Sequence, residues 1–142
     1  MSAFLLDVNV LIALLDPAHT HHDRAHAWFA GPAKEHWISS PTTQNGVVRI
    51  VSHPKYPNAQ PVPLVLESLE SLTRVGNHRF EADAVSLLDA GVSRTNLLSS
   101  SQVTDTYLVR LAVSLGAALA TFDARIVTTA VPHAEGAVFH IP

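Results

Sequence analysis

Short apolar runs that stop at an aspartate, alternating with stretches of helical periodicity, constrain this chain more than any other feature. Ala3-Phe4-Leu5-Leu6 ends at Asp7, and Ala117-Ala118-Leu119-Ala120-Thr121-Phe122 ends at Asp123. Such runs are too short and continuous for helices and suit strands buried on both faces. By contrast, Leu108, Leu111, Ala112 and Leu115 recur at i, i+3, i+4 and i+7 after Asp105, with Gly116 placed to end the helix. Strands alternating with helices predict an α/β fold with a mostly parallel central sheet covered on both faces.

The remaining segments extend that pattern. Strands are expected at 3–7, 36–39, 117–121 and 137–141, with a weaker one at 77–81. Helices are expected at 8–15, 21–30, from a cap at Ser40 or Thr42 to Val51, and at 64–75, with a short one at 82–88. Pro54 to Pro63 reads as a loop inside the domain rather than a linker, because core-like segments resume at once. With 142 residues the expectation is a single domain over 1–142, large enough for a proper core.

Composition narrows the function classes. The chain is 47% hydrophobic and 15% charged, with a net charge of −3, so no global basic field announces nucleic acid. It has no cysteine, which excludes disulfides, thiolate zinc sites and thiol catalysis and fits a reducing cytoplasm. No apolar stretch approaches the roughly 20 residues that span a bilayer. A soluble, cytoplasmic protein with no membrane partner is the expectation.

The chemistry-bearing residues are Asp7, Asp105 and Asp123. In an open α/β sheet, ligands bind in the crevice outside the carboxyl ends of the strands, where all three are predicted to lie. Carboxylates gathered there repel by roughly 3 kcal/mol per pair at about 5 Å and an effective dielectric near 20. A hard divalent cation is the simplest way to offset that cost. Each aspartate alone also reads as a helix cap, and the roles are compatible because a helix N-terminus favours the ionised form. Asp16, Asp23, Glu81 and Asp83 read as solvated charges or caps. His22 and His26 are spaced i, i+4, with His19 and His21 nearby, but no His-Glu-x-x-His pattern supports a zinc site.

Four motifs carry a resemblance: Leu6-Asp7-Val8-Asn9-Val10-Leu11-Ile12, Thr43-Gln44-Asn45-Gly46-Val47-Val48-Arg49, Gln102-Val103-Thr104-Asp105-Thr106-Tyr107-Leu108 and Ala120-Thr121-Phe122-Asp123. In order and spacing the chain resembles the PIN-domain ribonucleases, and among them the VapC toxins of bacterial toxin–antitoxin pairs, over nearly its whole length. The resemblance implies a three-layer α/β/α sandwich and a metal-dependent endoribonuclease that hydrolyses RNA with Mg²⁺ or Mn²⁺. Asp7, Asp105 and Asp123 match the first, third and fourth family acids and become the catalytic and metal-binding candidates. The second acid is missing: its stretch reads Thr43-Gln44-Asn45-Gly46, which makes Gln44 the stand-in and favours a single ion held mainly by Asp7 and Asp105.

Supporting roles fall to Asn9 and Thr121, as hydrogen-bonding neighbours of the aspartates, and to Arg49, as a phosphate contact or a salt-bridge partner. Arg24, Lys55, Arg79, Arg94, Arg110 and Arg125 are candidates for tracking RNA backbone. The high apolar content and the Leu/Val-rich 64–75 segment suggest covered surface. The resemblance assigns that surface to a homodimer and to a cognate antitoxin. Two rival readings are an acid-depleted PIN-like RNA-binding or interaction module and an aspartyl-phosphate phosphatase, whose second aspartate would stand where Asn9 does.

Overall fold

The computed structural model describes residues 2–97 and 99–142. Strands β1 (Phe4–Leu6), β2 (Trp37–Ser39), β3 (His78–Phe80), β4 (Ala118–Thr121) and β5 (Val138–His140) form a five-stranded sheet in the order β3-β2-β1-β4-β5. Every pairing is parallel, with Leu5 opposite Ile38 on one side and Leu119 on the other. The helices are α1 (Val8–Leu15), α2 (His22–Phe29), α3 (Pro41–Val51), α4 (Val62–Leu72) and α5 (Val103–Ser114).

Adjacent strand residues face opposite sides of a sheet, and the core divides accordingly. Leu6, Trp37 and Ala120 join Val10, Leu11, Val47 and Val65 in a cluster built with α1, α3 and α4. Their neighbours Leu5, Ile38 and Leu119 join Leu108, Leu111 and Ala112 of α5 in the other. Fully burying a leucine is worth about 1.5–3 kcal/mol. A one-residue register slip would exchange the two sets, so even strands this short are pinned.

Local chemistry sets the helix ends. Ser40 and Thr43 form a reciprocal capping box at the start of α3, and Pro41 occupies the first turn. At the other end of α1, His22 Nδ1 contacts the Ala13 carbonyl at 2.7 Å and His26 Nε2 the Leu14 carbonyl at 2.8 Å. The i, i+4 histidines of α2 thus hold carbonyls that α1 itself leaves open.

Three local expectations change. Residues 82–88 form no regular helix: Asp83 bonds to Thr42, the Val85 carbonyl accepts from Tyr107, and Asp89 takes the Ser86 and Gly91 amides. Side-chain bonding to these groups replaces helical bonding. α4 begins at Val62, on the prolines that pre-set its first turn, and ends at Leu72. The Ser99–Ser101 stretch is a 3₁₀ turn, Ser100–Gln102, leading straight into α5, so Asp105 lies within the first turn rather than at its start.

Candidate active site

The chain leaves β1 toward β2 on one side and leaves β4 toward β5 on the other. The strand order therefore reverses between β1 and β4, the position at which an open α/β sheet forms a ligand crevice. Asp7 directly follows β1, and Asp123 lies two residues past the end of β4. Asp105 approaches from the first turn of α5. With Thr106, Asp123, Arg125, Ser101, Gln102 and Val127 it lines a cleft of about 250 Å³.

One hydroxyl ties the strand ends together. Thr121 Oγ1 donates to Asp7 Oδ2 at 2.8 Å and accepts from the Asp123 amide at 3.0 Å and from Asn9 Nδ2 at 3.3 Å. A hydroxyl has one proton and two lone pairs, so Thr121 is saturated. Asn9 Oδ1 in turn accepts the Phe122 amide at 3.4 Å. Asp7 caps α1 as well, accepting the Val8 amide at 2.8 Å.

The three carboxylates differ in charge balance. Asp7 is only 7% exposed. Burial pushes its carboxyl above the usual range and the Asp123 charge adds to this, against the pull of its bonds to Thr121 and Val8. Asp105 is also raised, by burial and then by the charges of Asp7 and Asp123, with Arg125 opposing. Asp123 is lowered, chiefly because the Arg125 amide donates to Oδ1 at 2.9 Å, with the Arg125 side chain at 3.3 Å. Arg125 is thus the cation of the cleft. An arginine two residues after a strand-end aspartate, where an Asx turn brings its amide back, was the signal for it.

The all-oxygen donor set, and the burial and neighbouring negative charge that raise Asp7 and Asp105, fit a hard divalent cation. Among the described residues no three acidic or imidazole groups already form an ion-sized cage.

The other sequence candidates fall elsewhere. Gln44 lies on the first turn of α3 and donates to Ser39 Oγ at 2.9 Å. Gly46 of the same motif is a packing residue: a Cβ there would meet Val8 Cγ2 at 2.7 Å, so only glycine lets α3 come this close to α1. Arg49 is exposed and borders a different cleft, with Ile50, His53, Lys55 and Tyr56. Arg110 pairs with Asp89 and Arg79 with Glu81. Asp83 Oδ2 accepts both the amide and the hydroxyl of Thr42, while its Oδ1 is buried with no partner among the described residues.

A parallel α/β sheet with acidic residues beside its switch point defines an open α/β protein with a crevice at the strand ends, and the comparisons narrow it. The PIN domain family matches residues 4–132. Over 131 residues the chain is 47% identical to Ribonuclease VapC44 of Mycobacterium tuberculosis, covering 92% of each protein. It is 42% identical over 127 residues to Ribonuclease VapC38 of the same species, covering 89% of each. To Ribonuclease VapC39, also from that species, it is 37% identical over 128 residues, or 89% of this chain and 92% of the relative. The chain belongs to the PIN-domain family and, within it, to the VapC-type ribonucleases.

Proposed function

We propose that residues 1–142 act as one nuclease domain, an endoribonuclease dependent on Mg²⁺ or Mn²⁺ and the toxic partner of a toxin–antitoxin pair. The observation that supports this reading is that Asp7 and Asp123 leave the sheet on either side of the β1/β4 switch point while Asp105 approaches from α5, with Asp7 and Asp105 raised by burial first and by neighbouring carboxylates second. A bound divalent ion supplies a water of lowered pKa and charge stabilisation for the phosphoryl oxygens. Asp7 and Asp105 are the residues that would hold it. Thr121 fixes the rotamer of Asp7 and the backbone of Asp123 together, so the two acids keep their spacing. Asp123 has Oδ1 engaged by Arg125, which leaves Oδ2 to orient the attacking water.

Cleavage of single-stranded RNA with Mn²⁺ is the direct test. Asp105→Asn, which keeps shape and removes charge, should abolish cleavage while the fold is retained. Wild-type rates from that variant would end the assignment, and RNA binding without cleavage in any metal would favour the interaction-module reading.

The partners follow from surface. Val62 and Leu66, one turn apart on α4, are 45% and 51% exposed, an apolar face left to water; Leu64, 49% exposed, lies on the other side of the helix. We assign this face to a homodimer contact, and an extended antitoxin segment to the acidic crevice, where its arginine or lysine pairs with the carboxylates in place of the ion. Light scattering should give a dimer, and the antitoxin segment should weaken Mn²⁺ binding. A monomer at tens of micromolar, or an unchanged metal affinity, would count against these assignments.

A further inference from the structure

The charge of the sheet edge changes sign between β4 and β5. In-register partners of parallel strands share a face, and the core shows it: Leu119 and Val138 pack with α5, Ala120 and Phe139 with the α1 side. The next pair along, Thr121 and His140, therefore lies on the α5 face. Thr121 turns its hydroxyl toward β1, to Asp7. His140 is exposed one strand further out, and it acts on Asp123 as a neighbouring cation. Adjacent strands are roughly 4.8 Å apart, so His140 borders the crevice from the side away from Asp7.

Arg125 supplies a second cation at the same carboxylate. Its amide and its Nε both donate to Asp123 Oδ1, at 2.9 Å and 3.3 Å. An arginine serving only that carboxylate would commit its fork in a bidentate pair. Here Asp123 takes the inner Nε, and both Nη groups are without a partner among the described residues, on a side chain that is 92% exposed. The tether holds the base of the guanidinium at the cleft shared with Asp105 and leaves its outer donors to a ligand. The His140 ring offers at least one N–H donor in either protonation state. A guanidinium fork with a ring N–H near it suits an anion that presents several oxygens, as a phosphodiester does.

We propose that Arg125 and His140 form a phosphate subsite on the β5 flank of the acidic crevice, which binds the RNA phosphate adjacent to the scissile one. The strand then passes from Asp7 and Asp105, where the scissile phosphate is placed, across Asp123 toward β5. Phosphate contacts position a strand without reading its bases, so this subsite sets register and not sequence. It also gives a polyanion a favourable foothold beside carboxylates that would otherwise repel it. This role deepens the ribonuclease reading above and rests on it.

Binding of single-stranded RNA to the Asp105→Asn chain tests it without turnover; wild type in EDTA serves if that variant does not fold. Adding Arg125→Ala should weaken binding about tenfold, equally for two unrelated sequences, and lower the slope of log K against log salt by about 0.7. Adding His140→Ala should weaken it about threefold. A neutral methylphosphonate, moved one linkage at a time along the RNA, identifies the phosphate. At one linkage it should cost as much as Arg125→Ala, and the two together no more than either alone. Losses that add at every linkage, or an unchanged salt slope, would overturn the subsite. So would an Arg125→Ala protein with weaker Mn²⁺ binding and unaltered RNA binding, because Arg125 would then serve only Asp123. Loss of antitoxin binding alone would likewise overturn it, in favour of a protein carboxylate as the ligand. A wild-type protein that shows this coupling but cleaves no RNA with Mn²⁺ would refute the ribonuclease reading and leave the phosphate contact standing.

Discussion

Helix α1 carries a buried aspartate at each end, and the two are tuned in opposite directions. Asp7 at its N-terminus and Asp16 at its C-terminus are 7% and 6% exposed. The helix dipole favours negative charge at the N-terminus and disfavours it at the C-terminus. Yet Asp7 is raised and Asp16 is lowered. Burial alone would raise Asp16 as well. It is outweighed by bonds from the Tyr56 hydroxyl, from Asn58 Nδ2 at 2.7 Å and from the Ala18 amide at 2.9 Å. Among the described residues, Asp7 has only Thr121 and Val8 as donors and has other acids for neighbours. Asp16 is a charge whose needs are met, and it fastens the 53–61 loop to α1. Asp7 is a charge whose needs are left partly unmet, the condition under which a cation binds.

The sharpest way to break this comparison is to exchange the phenotypes. Asp7→Asn should lower RNA cleavage by about a hundredfold or more, with little loss of folding stability. Asp16→Ala should do the reverse, costing about 2–4 kcal/mol by leaving Tyr56, Asn58 and Ala18 without their acceptor, while the folded fraction keeps its activity. Denaturant melts and single-turnover cleavage on both variants decide the matter, and a large stability loss in Asp7→Asn would erase the contrast.

A smaller effect is expected at the hydroxyl that serves both strand ends. Thr121→Val keeps the volume but removes the partner of Asp7, Asn9 and the Asp123 amide. Cleavage should drop by about tenfold, with a stability cost of about 1–3 kcal/mol. Weaker Mn²⁺ binding in calorimetry would locate the loss in the ion site; unchanged binding and rate would show that Thr121 is only a core residue.

The smallest effect is the pH dependence of the metal-free protein. Above the ordinary aspartate value of 3.8, and up to the raised values of Asp7 and Asp105, the folded chain binds more protons than the unfolded one. Stability should therefore fall as pH rises through that window. Asp16 and Asp123 act in the opposite sense and lower down: their contribution is present above 3.8 and is lost as pH falls through their lowered values. Asp105→Asn should flatten the upper slope, and saturating Mn²⁺ should reverse it. Melting temperatures across pH 3–7 measure both, and identical slopes for wild type and Asp105→Asn would remove Asp105 from the account.

Much of the architecture was legible because it rests on pattern. Leu5 and Leu6 read as a doubly buried strand from their place between polar punctuation, and the i, i+3, i+4 recurrence of Leu108, Leu111 and Ala112 marked α5. Where the reading slipped, a distant partner was responsible. Residues 82–88 have helical composition, but Thr42, Tyr107 and Asp89 hold them in turns. Asp16 was read as a solvated charge or a cap: it is the C-cap of α1, but it is buried rather than solvated, held by Tyr56 and Asn58, 40 and 42 residues away, which leave no local trace. Asp83 was read in the same way, though it clamps the first turn of α3.

By itself, then, the sequence determined which segments are strands, that the sheet is mostly parallel, and that Asp7 and Asp123 leave it at strand ends. Periodicity and burial are properties of neighbouring residues, and a chain displays them in order. Only the tertiary structure decided that β1 and β4 are adjacent, that Thr121 bridges Asp7 and Asp123, and that Asp7 is left electrostatically strained while Asp16 is satisfied. The fate of a buried charge depends on which donors reach it through space, and those donors come from parts of the chain that only folding brings together.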